Sequence, residues 1–514
     1  MRRLLALLLA ACAALTACTG QDGDDRDDDG APAYQPGTLR VLASSELSDM
    51  TPVLDQVRED TGITVRPTYM GTLDAVDLLA SGKADGTYDA VWLASNDYLR
   101  LRPEAAQEVV SETPVMSSPV AIGVKPDTVD ELGWEPEKVT WAQVERAVRD
   151  GGLTYGMTDP TRSNSGFATL VSVASALSGA QSALTDADVR RATPRLKDFF
   201  QGQQLTSGSS GWLAQAYQRR GTVDALLNYE SVLLGIPDLT VIRPRDGVVT
   251  ADYPLSTLAS SNATAREDVR RLAEALRSPE AQRQITGTTH RRPVVAAVPP
   301  GPGLDPARRR ELPFPGSRSV ADGLLDSYQN ELRRPSRTVY VLDTSGSMQG
   351  DRLDRLKQAL TDLTGDFRER EEVTLMPFGS AVKDVLTHVV DPADPQTGLD
   401  GIRRDTEALS AWGDTAVYTS LAKAYDHLRT DKDTFTSIVL MTDGENTTGD
   451  DAGDFQSFHA SLTGAQRDIP VFPILFGDSD RSELERIADL TGGRLFDARQ
   501  GSLDGAFEEI RGYQ

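Results

Sequence analysis

Residues 338–353 read TVYVLDTSGSMQGDRL, and the fold of the chain is read outward from them. Val339, Tyr340, Val341 and Leu342 form a short apolar run, rich in β-branched and aromatic side chains, of the kind a parallel sheet buries on both faces. The chain then turns polar. Asp343, Ser345 and Ser347 alternate around Gly346, Gly350 follows, and a charged, amphipathic segment over 352–369 predicts a helix. Loops at the carboxyl ends of strands are where open α/β sheets put their ligands. Hard oxygen donors crowded there suit a hard divalent cation such as Mg²⁺, which prefers oxygen ligands and keeps several waters. Ser and Asp after a strand also cap helices, so the run alone admits both a metal site and a plain capped turn.

The DxSGS pattern of Asp343, Ser345, Gly346 and Ser347 resembles the metal-ion-dependent adhesion site of von Willebrand factor type A domains. Further matches follow in that family's order, with Thr415 in AWGDTAVYTSLAKAY and Asp443 in SIVLMTDGEN, directly after the apolar run 437–441. The resemblance implies that Ser345, Ser347 and Thr415 offer hydroxyls to the ion, and that Asp343 and Asp443 bind it directly or through water. It also implies a position left open for the carboxylate of an acidic residue on a partner protein. Mg²⁺ is the implied cofactor, with Mn²⁺ or Ca²⁺ as substitutes. Because Thr415 and Asp443 each follow their own helix or strand signal, agreement across levels favours the metal reading over simple caps.

Around this motif, strand and helix signals alternate through residues 336–514, which predicts a doubly wound, mostly parallel, Rossmann-like sheet. Strands are expected at 372–379, 437–441, 469–477 and 492–498, with helices at 452–466 and 483–491 and a covering helix at 502–513. The family's usual antiparallel edge strand would be supplied by 382–389.

With 514 residues the chain is longer than one hydrophobic core usually serves. A 39% hydrophobic content and a mean hydropathy of -0.35 describe globular material. The formal charge is -24, from 77 acidic and 53 basic residues, which argues against nucleic-acid binding through a general field. Arg2 and Arg3 precede an apolar segment, 4–17, that is too short to span a bilayer but right for a signal-peptide core. It ends in Leu15-Thr16-Ala17-Cys18, which resembles a bacterial lipobox and implies cleavage before Cys18, lipidation of that cysteine and anchoring at the extracytoplasmic face of the cell membrane. An ordinary secretory signal with incidental cysteines is the alternative. Cys12 lies in the part to be discarded, so Cys18 would be the sole thiol of the mature chain and no internal disulfide is expected. Residues 18–37, acidic and nearly devoid of large apolar groups, read as a self-repelling tether.

Residues 38–299 again alternate strand and helix: TLRVLASSEL, a helix carrying Met50, Val53, Leu54 and Val57, then GITVRPTYM, YDAVWLASN, PVAIGVK and LTYGMTDP. The Ser44–Ser45 opening, the strand ending in Ser95 and Asn96, the crossover PVAIGVK and TDPTRSNSGFATLVSVASAL together resemble type II extracytoplasmic solute-binding proteins, a two-lobed α/β fold. In that family a turn such as Ser163-Asn164-Ser165-Gly166 presents N–H groups and hydroxyls to an anion at a helix start, as helix N-termini do generally. GTVDALLNYESVLLG would bring Tyr229 and Glu230 to the cleft, and TGTTHRRPV, from Thr286, resembles the C-terminal approach strand. The turn also reads as an ordinary cap, and its small polar residues would suit a sugar or peptide group as well as an oxyanion.

A Pro/Gly cluster opens 300–335, which reads as a linker with a helix over 320–332. No HExxH, Walker loop or GxSxG elbow occurs, so no enzyme is expected. Two functions stand beside each other: an anchored, non-enzymatic binding protein acting through the metal site, and a solute-capture lipoprotein delivering a small ligand to an ABC importer. A third, an accessory subunit of a chelatase-like ATPase, sits poorly with the export signal.

Overall fold

The computed structural model describes residues 37–499 apart from 308, 365–369, 392 and 431–433, together with Leu503, Ala506 and Ile510. The expected signal peptide, Cys18 and the tether up to residue 36 lie outside the described residues.

The first domain contains strands β1 (Thr38–Ser44), β2 (Thr64–Met70), β3 (Ala90–Trp92), β4 (Val109–Pro114), β5 (Met116–Val124), β6 (Tyr155–Thr158), β7 (Gln203–Ser207), β8 (Ala225–Tyr229), β9 (Thr240–Ile242), β10 (Thr250–Ala251), β11 (Pro254–Leu258) and β12 (Arg292–Pro293). One lobe is a five-stranded sheet in the order β2-β1-β3-β11-β4, and the other is built on β10-β5-β8-β6-β7, with β9 and β12 also paired to β5. The chain crosses between lobes three times, the last after His290, where β12 pairs with β5. It leaves the first lobe at Val115, between β4 and β5, and returns through Asp252 and Tyr253, between β10 and β11. Tyr253 turns the return corner in the left-handed region, at φ 43°. The central strands β1, β3 and β8 carry near-continuous apolar residues because helices cover both faces. Helix Asn164–Ser178 is buried almost all round, as its unbroken small and apolar sequence dictates.

The second domain begins with β13 (Ser336–Asp343), followed by β14 (Glu371–Phe378), β15 (Leu386–Val390), β16 (Phe435–Thr442), β17 (Val471–Leu475) and β18 (Phe496–Asp497). They form one sheet in the order β15-β14-β13-β16-β17-β18, parallel throughout except for the antiparallel β14–β15 edge. All eight residues of β13 are buried. Its side chains alternate between two cores: Tyr340 and Leu342 pack with Leu356, Leu360 and Phe472, while Val339 and Val341 pack with Val417, Leu421 and Ile487. The run VYVL is apolar at every position because helices occupy both faces, which is the reading its sequence suggested.

Several expectations are corrected. The stretch 300–335 is not a solvated linker: Leu312, Val320, Ala321, Leu324, Leu325, Tyr328 and Leu332 all belong to the first domain's core. The Pro-rich part is pinned there too, with Ser175 Oγ donating to Pro313 O (2.6 Å) and Leu184 N to Phe314 O (2.9 Å). The helix of that stretch is Arg318–Ser327, closing in a wider π-type turn at Tyr328–Leu332. The edge strand is shorter than 382–389 suggested, and the helix expected over 452–466 divides into Ala452–Ser461 and Gly464–Arg467. Leu503, Ala506 and Ile510, spaced three and four apart, are helical and buried against the sheet. No helix among the described residues is long and apolar enough to cross a membrane.

Candidate metal centre and solute cleft

The parallel register of β13 and β16 pairs Leu342 with Met441 and so brings Asp343 and Asp443 to the same carboxyl edge of the sheet. Both are fully or almost fully buried. The backbone N–H of Ser345 donates to Asp343 Oδ1 (2.8 Å). Ser345 Oγ lies 2.9 Å from Ser347 Oγ, and Ser347 Oγ donates to Asp443 Oδ1 (2.8 Å). One backbone N–H and two hydroxyls therefore link one carboxylate to the other. Thr415 is buried in a neighbouring loop and held by its backbone, its N–H donating to Thr447 Oγ1 (2.9 Å) and its carbonyl accepting from Thr447 N (2.8 Å). That loop meets the DxSGS turn directly, through Gly346 N to Gly413 O and Trp412 N to Thr344 O, each 2.8 Å.

Three residues not singled out from sequence tune the site. Thr442 Oγ1 donates to Asp343 Oδ2 (2.6 Å). Arg352, in the first turn of helix Asp351–Leu363, donates through one guanidinium nitrogen to Asp443 Oδ2 and through the other to Asp478 Oδ2 (2.7 Å). Lys383 Nζ donates to Thr344 O (2.6 Å) and Ser410 O (3.1 Å), tying two of the loops together. Burial pushes the Asp343 carboxyl above its usual value, and the hydrogen bonds from Thr442 and Ser345 hold part of that rise back. Burial lowers Lys383, with Asp343 pulling the other way. Thr442 was detectable as the polar residue that ends an apolar strand beside Asp443. Arg352 and Lys383 carried no local signal.

Among the described residues no group of three or more His, Cys, Asp or Glu is gathered to hold a metal. The donor set here is of another kind, two carboxylates supplemented by hydroxyls. Such all-oxygen chemistry fits Mg²⁺, Mn²⁺ or Ca²⁺ and fits a thiophilic metal poorly.

In the first domain the expected cleft residues divide. Ser165 Oγ is the hub of a hydroxyl cluster, 2.8 Å from Thr158 Oγ1, 3.2 Å from Ser163 Oγ and 2.7 Å from Ser210 Oγ. Ser163 and Ser209 are the N-cap residues of helices Asn164–Ser178 and Ser210–Arg220, and neither side chain caps its own helix. Two helix starts thus meet at a cluster of hydroxyls, which is an anion-favouring arrangement. Asn164 Nδ2 donates to Tyr229 OH (2.9 Å), and the Tyr229 ring meets that of Tyr253 edge-on at 5.9 Å. Across from them lie Glu46 and Asp49 of the first lobe, with buried Arg291 donating to both Asp49 oxygens (2.8 and 2.7 Å) and to Glu46 O (3.2 Å). The lobes also touch where Leu73 N donates to Arg162 O (3.1 Å).

Other expected residues serve the fold. Ser44 Oγ accepts from Ala94 N (2.9 Å) and pairs with Thr72 Oγ1 (2.8 Å), while Ser45 beside it is half-buried. Ser95 Oγ accepts from Asp97 N (3.1 Å), and Asn96 is fully buried and donates to Ser256 Oγ (3.0 Å). Gly166 is a close-approach position, where an added Cβ would come within 2.3 Å of Thr158 O. Glu230 is fully buried, bound by Arg292 (2.7 and 2.8 Å) and by Arg243, so both oxygens are engaged away from a solute. The doublet Ser209-Ser210 before a helix repeats the Ser44–Ser45 pattern and was the sequence signal for the second helix start.

Residues 39–288 match the family model for bacterial extracellular solute-binding proteins, and residues 338–445 match that for the von Willebrand factor type A domain. The chain thus joins a region similar to bacterial extracellular solute-binding proteins to a following region similar to von Willebrand factor type A domains. Inter-alpha-trypsin inhibitor heavy chain H1 of Bos taurus is 28% identical over 198 residues, 35% of this chain and 21% of that protein. The chain spans between 13% and 38% of the length of the curated relatives it matches. Among solved structures, the periplasmic binding protein AfuA from Actinobacillus pleuropneumoniae, with fructose-6-phosphate bound, aligns at a TM-score of 0.47 and 12% identity, covering 57% of this chain and 98% of that one. A von Willebrand factor type A structure from Catenulispora acidiphila aligns at a TM-score of 0.31 and 20% identity, covering 35% and 42% respectively.

Proposed function

We propose that this chain is a non-enzymatic binding protein of the bacterial cell envelope, lipid-anchored through Cys18 at the extracytoplasmic face of the membrane. Its second domain would hold Mg²⁺, or Mn²⁺ or Ca²⁺ in its place, with Asp343, Ser345, Ser347, Thr415 and Asp443, and take an acidic side chain of a partner protein. The observation that carries this reading is the hydrogen-bonded chain that joins two buried carboxylates at the ends of neighbouring strands, from Asp343 through the Ser345 backbone N–H and then the Ser345 and Ser347 hydroxyls to Asp443. The bound ion supplies a hard Lewis-acid centre that a partner carboxylate can complete. Charge balance favours such a partner: Arg352 offsets one of the two carboxylates, so a divalent ion turns the site from negative to positive. Thr442, Ser345 and Arg352 orient the two carboxylates, and the backbone bonds around Thr415 keep its loop within reach of the DxSGS turn.

Isothermal calorimetry of the full mature chain tests this. Mg²⁺ should bind, and Asp343→Ala should weaken it by at least about tenfold, because losing even a group that only orients a ligand already costs about that much. Absence of Mg²⁺ uptake by the native chain, or an unchanged affinity in the variant, would remove the reading.

A second reading is supported by the hydroxyl cluster where two helix starts converge: the first domain captures a small solute, an oxyanion among the candidates, for an ABC importer. Lobe closure would be its working motion. A thermal-shift screen addresses it, because a ligand at about 100 times its Kd contributes about 2.7 kcal/mol of stability. A panel of oxyanions, sugars and peptides that leaves the melting temperature unmoved would count against solute capture.

A further inference from the structure

Trp412 is the most exposed large apolar side chain among the described residues, at 57%. It stands three residues before Thr415, on the loop that meets the DxSGS turn. The side chain is presented from a fixed base. Its backbone N–H is bound to Thr344 O, an added Cβ on Gly379 would come within 2.5 Å of its carbonyl oxygen, and Lys383 Nζ lies 4.2 Å from its ring centroid. An exposed indole held this way loses little conformational freedom on docking, which is what makes tryptophan a favoured anchor at interfaces. The exposed charge around it is mostly acidic: Asp351, Asp414, Glu445 and Asp478 stand on the segments that surround the two buried aspartates, against Lys383 at the indole and Arg352, which pairs with Asp478.

These features constrain the partner. A segment rich in acidic residues would meet these carboxylates within a Debye length of about 8 Å and be repelled, whatever its one carboxylate gained at the ion. Resting on the metal-site reading above, we propose that the partner presents a single acidic side chain from an otherwise basic segment, and that an adjacent apolar side chain of that segment packs on Trp412. The metal centre supplies the attraction for the carboxylate, the acidic rim selects its flanks, and the indole selects its neighbour.

The test uses the full mature chain in saturating Mg²⁺ and acetylated, amidated synthetic peptides as probes. Lys-Lys-Asp-Leu-Lys should bind at least about tenfold more tightly than Glu-Glu-Asp-Leu-Glu, and the difference should shrink as salt is raised. Lys-Lys-Asn-Leu-Lys should not bind. Replacing the probe's leucine by glycine, or introducing Trp412→Ala, should each weaken binding by about fivefold or more, while Trp412→Phe retains most of it. Calorimetry should show Mg²⁺ affinity unchanged by Trp412→Ala, which separates loss of the docking contact from damage to the metal site. Equal or tighter binding of the acidic-flanked probe, indifference of the basic probe to Trp412→Ala, or no probe binding while Mg²⁺ binds normally would each overturn the proposal. Failure of Mg²⁺ itself to bind would instead bring down the metal reading on which it rests.

Discussion

Glu46 follows β1 by two residues, is only 8% exposed and lies beside buried Arg291, which pairs with the more exposed Asp49. Burial raises its carboxyl to about 7, with hydrogen bonding to its own backbone and the charge of Arg291 pulling it partly back. In the unfolded chain the same group titrates near the ordinary glutamate value. Between those two values the folded state binds more protons than the unfolded one, so stability falls as pH rises through the window and the full cost applies above it. A shift of this size corresponds to about 3 kcal/mol. Glu46→Gln is therefore expected to be more stable than the native chain by about 1–3 kcal/mol near pH 8 and to lose that advantage near pH 4.5. Urea melts at both pH values would check it, and a difference independent of pH would assign the effect to something other than ionisation. Glu230 is the opposite case, a buried carboxylate fully matched by Arg243 and Arg292. Glu230→Ala should destabilise the first domain by about 3–5 kcal/mol, because it strands two guanidinium groups that burial had paired. A denaturant midpoint within error of the native one would refute that.

At the scale of elements, helix Asn164–Ser178 is seated by a contact that only glycine permits. A methyl group at Gly166 would strike Thr158 O at 2.3 Å and Pro160 N at 2.9 Å, both backbone atoms that cannot rotate aside. Gly166→Ala should destabilise the first domain by about 1–3 kcal/mol or more and lift Ser163 and Ser165 away from Ser210. Thermal melts would detect the first effect, and loss of stabilisation by whichever solute the thermal-shift screen identifies would report the second. The elements themselves were largely legible: VYVL, SIVLM and VFPIL are unbroken apolar runs, and the strand-helix alternation of both domains follows from them. The positions of Asp343 and Asp443 were legible for a related reason, since each directly ends or follows such a run, while Thr415 stands just before its own helix. The cleft was less so. Its contacts join Ser165 to Ser210, Asn164 to Tyr229 and Asp49 to Arg291, residues far apart in sequence whose meeting depends on how two sheets face one another. Tyr229 and Glu230 are adjacent, yet one points to Asn164 and the other into an ion pair, a difference composition cannot convey. In the segment 300–335 the helix was expected but not its packing, because the Pro and Gly content outweighed the four-residue spacing of Val320, Leu324 and Tyr328, which marks a buried helix face.

On the scale of the whole molecule, both described domains fall in one compact unit, and helix Ser210–Arg220 shows how they are joined. Its first residue bonds to Ser165 in the solute cleft. Trp212, half a turn further on, packs against the second domain's core, with the Arg494 guanidinium carbon 3.3 Å from its ring centroid and 4.9 Å from that of Phe496. That core also contains Met348, which directly follows Ser347 of the proposed metal site. A cavity of about 420 Å³, lined by Leu205, Ala216, Phe435 and Phe472 among others, lies between parts of the two domains, so the junction is not a continuous seal. Interfaces between domains of one chain are commonly modest, and the loss of one aromatic anchor can uncouple them. The native chain should then unfold in a single calorimetric transition that Mg²⁺ shifts as a whole, because stabilising one domain by ligand binding stabilises whatever unfolds with it. Trp212→Ala should split that transition in two, with Mg²⁺ moving only the component that belongs to the second domain. A native chain already melting in two independent steps, only one of them sensitive to Mg²⁺, would show that the indole contact does not couple the domains energetically.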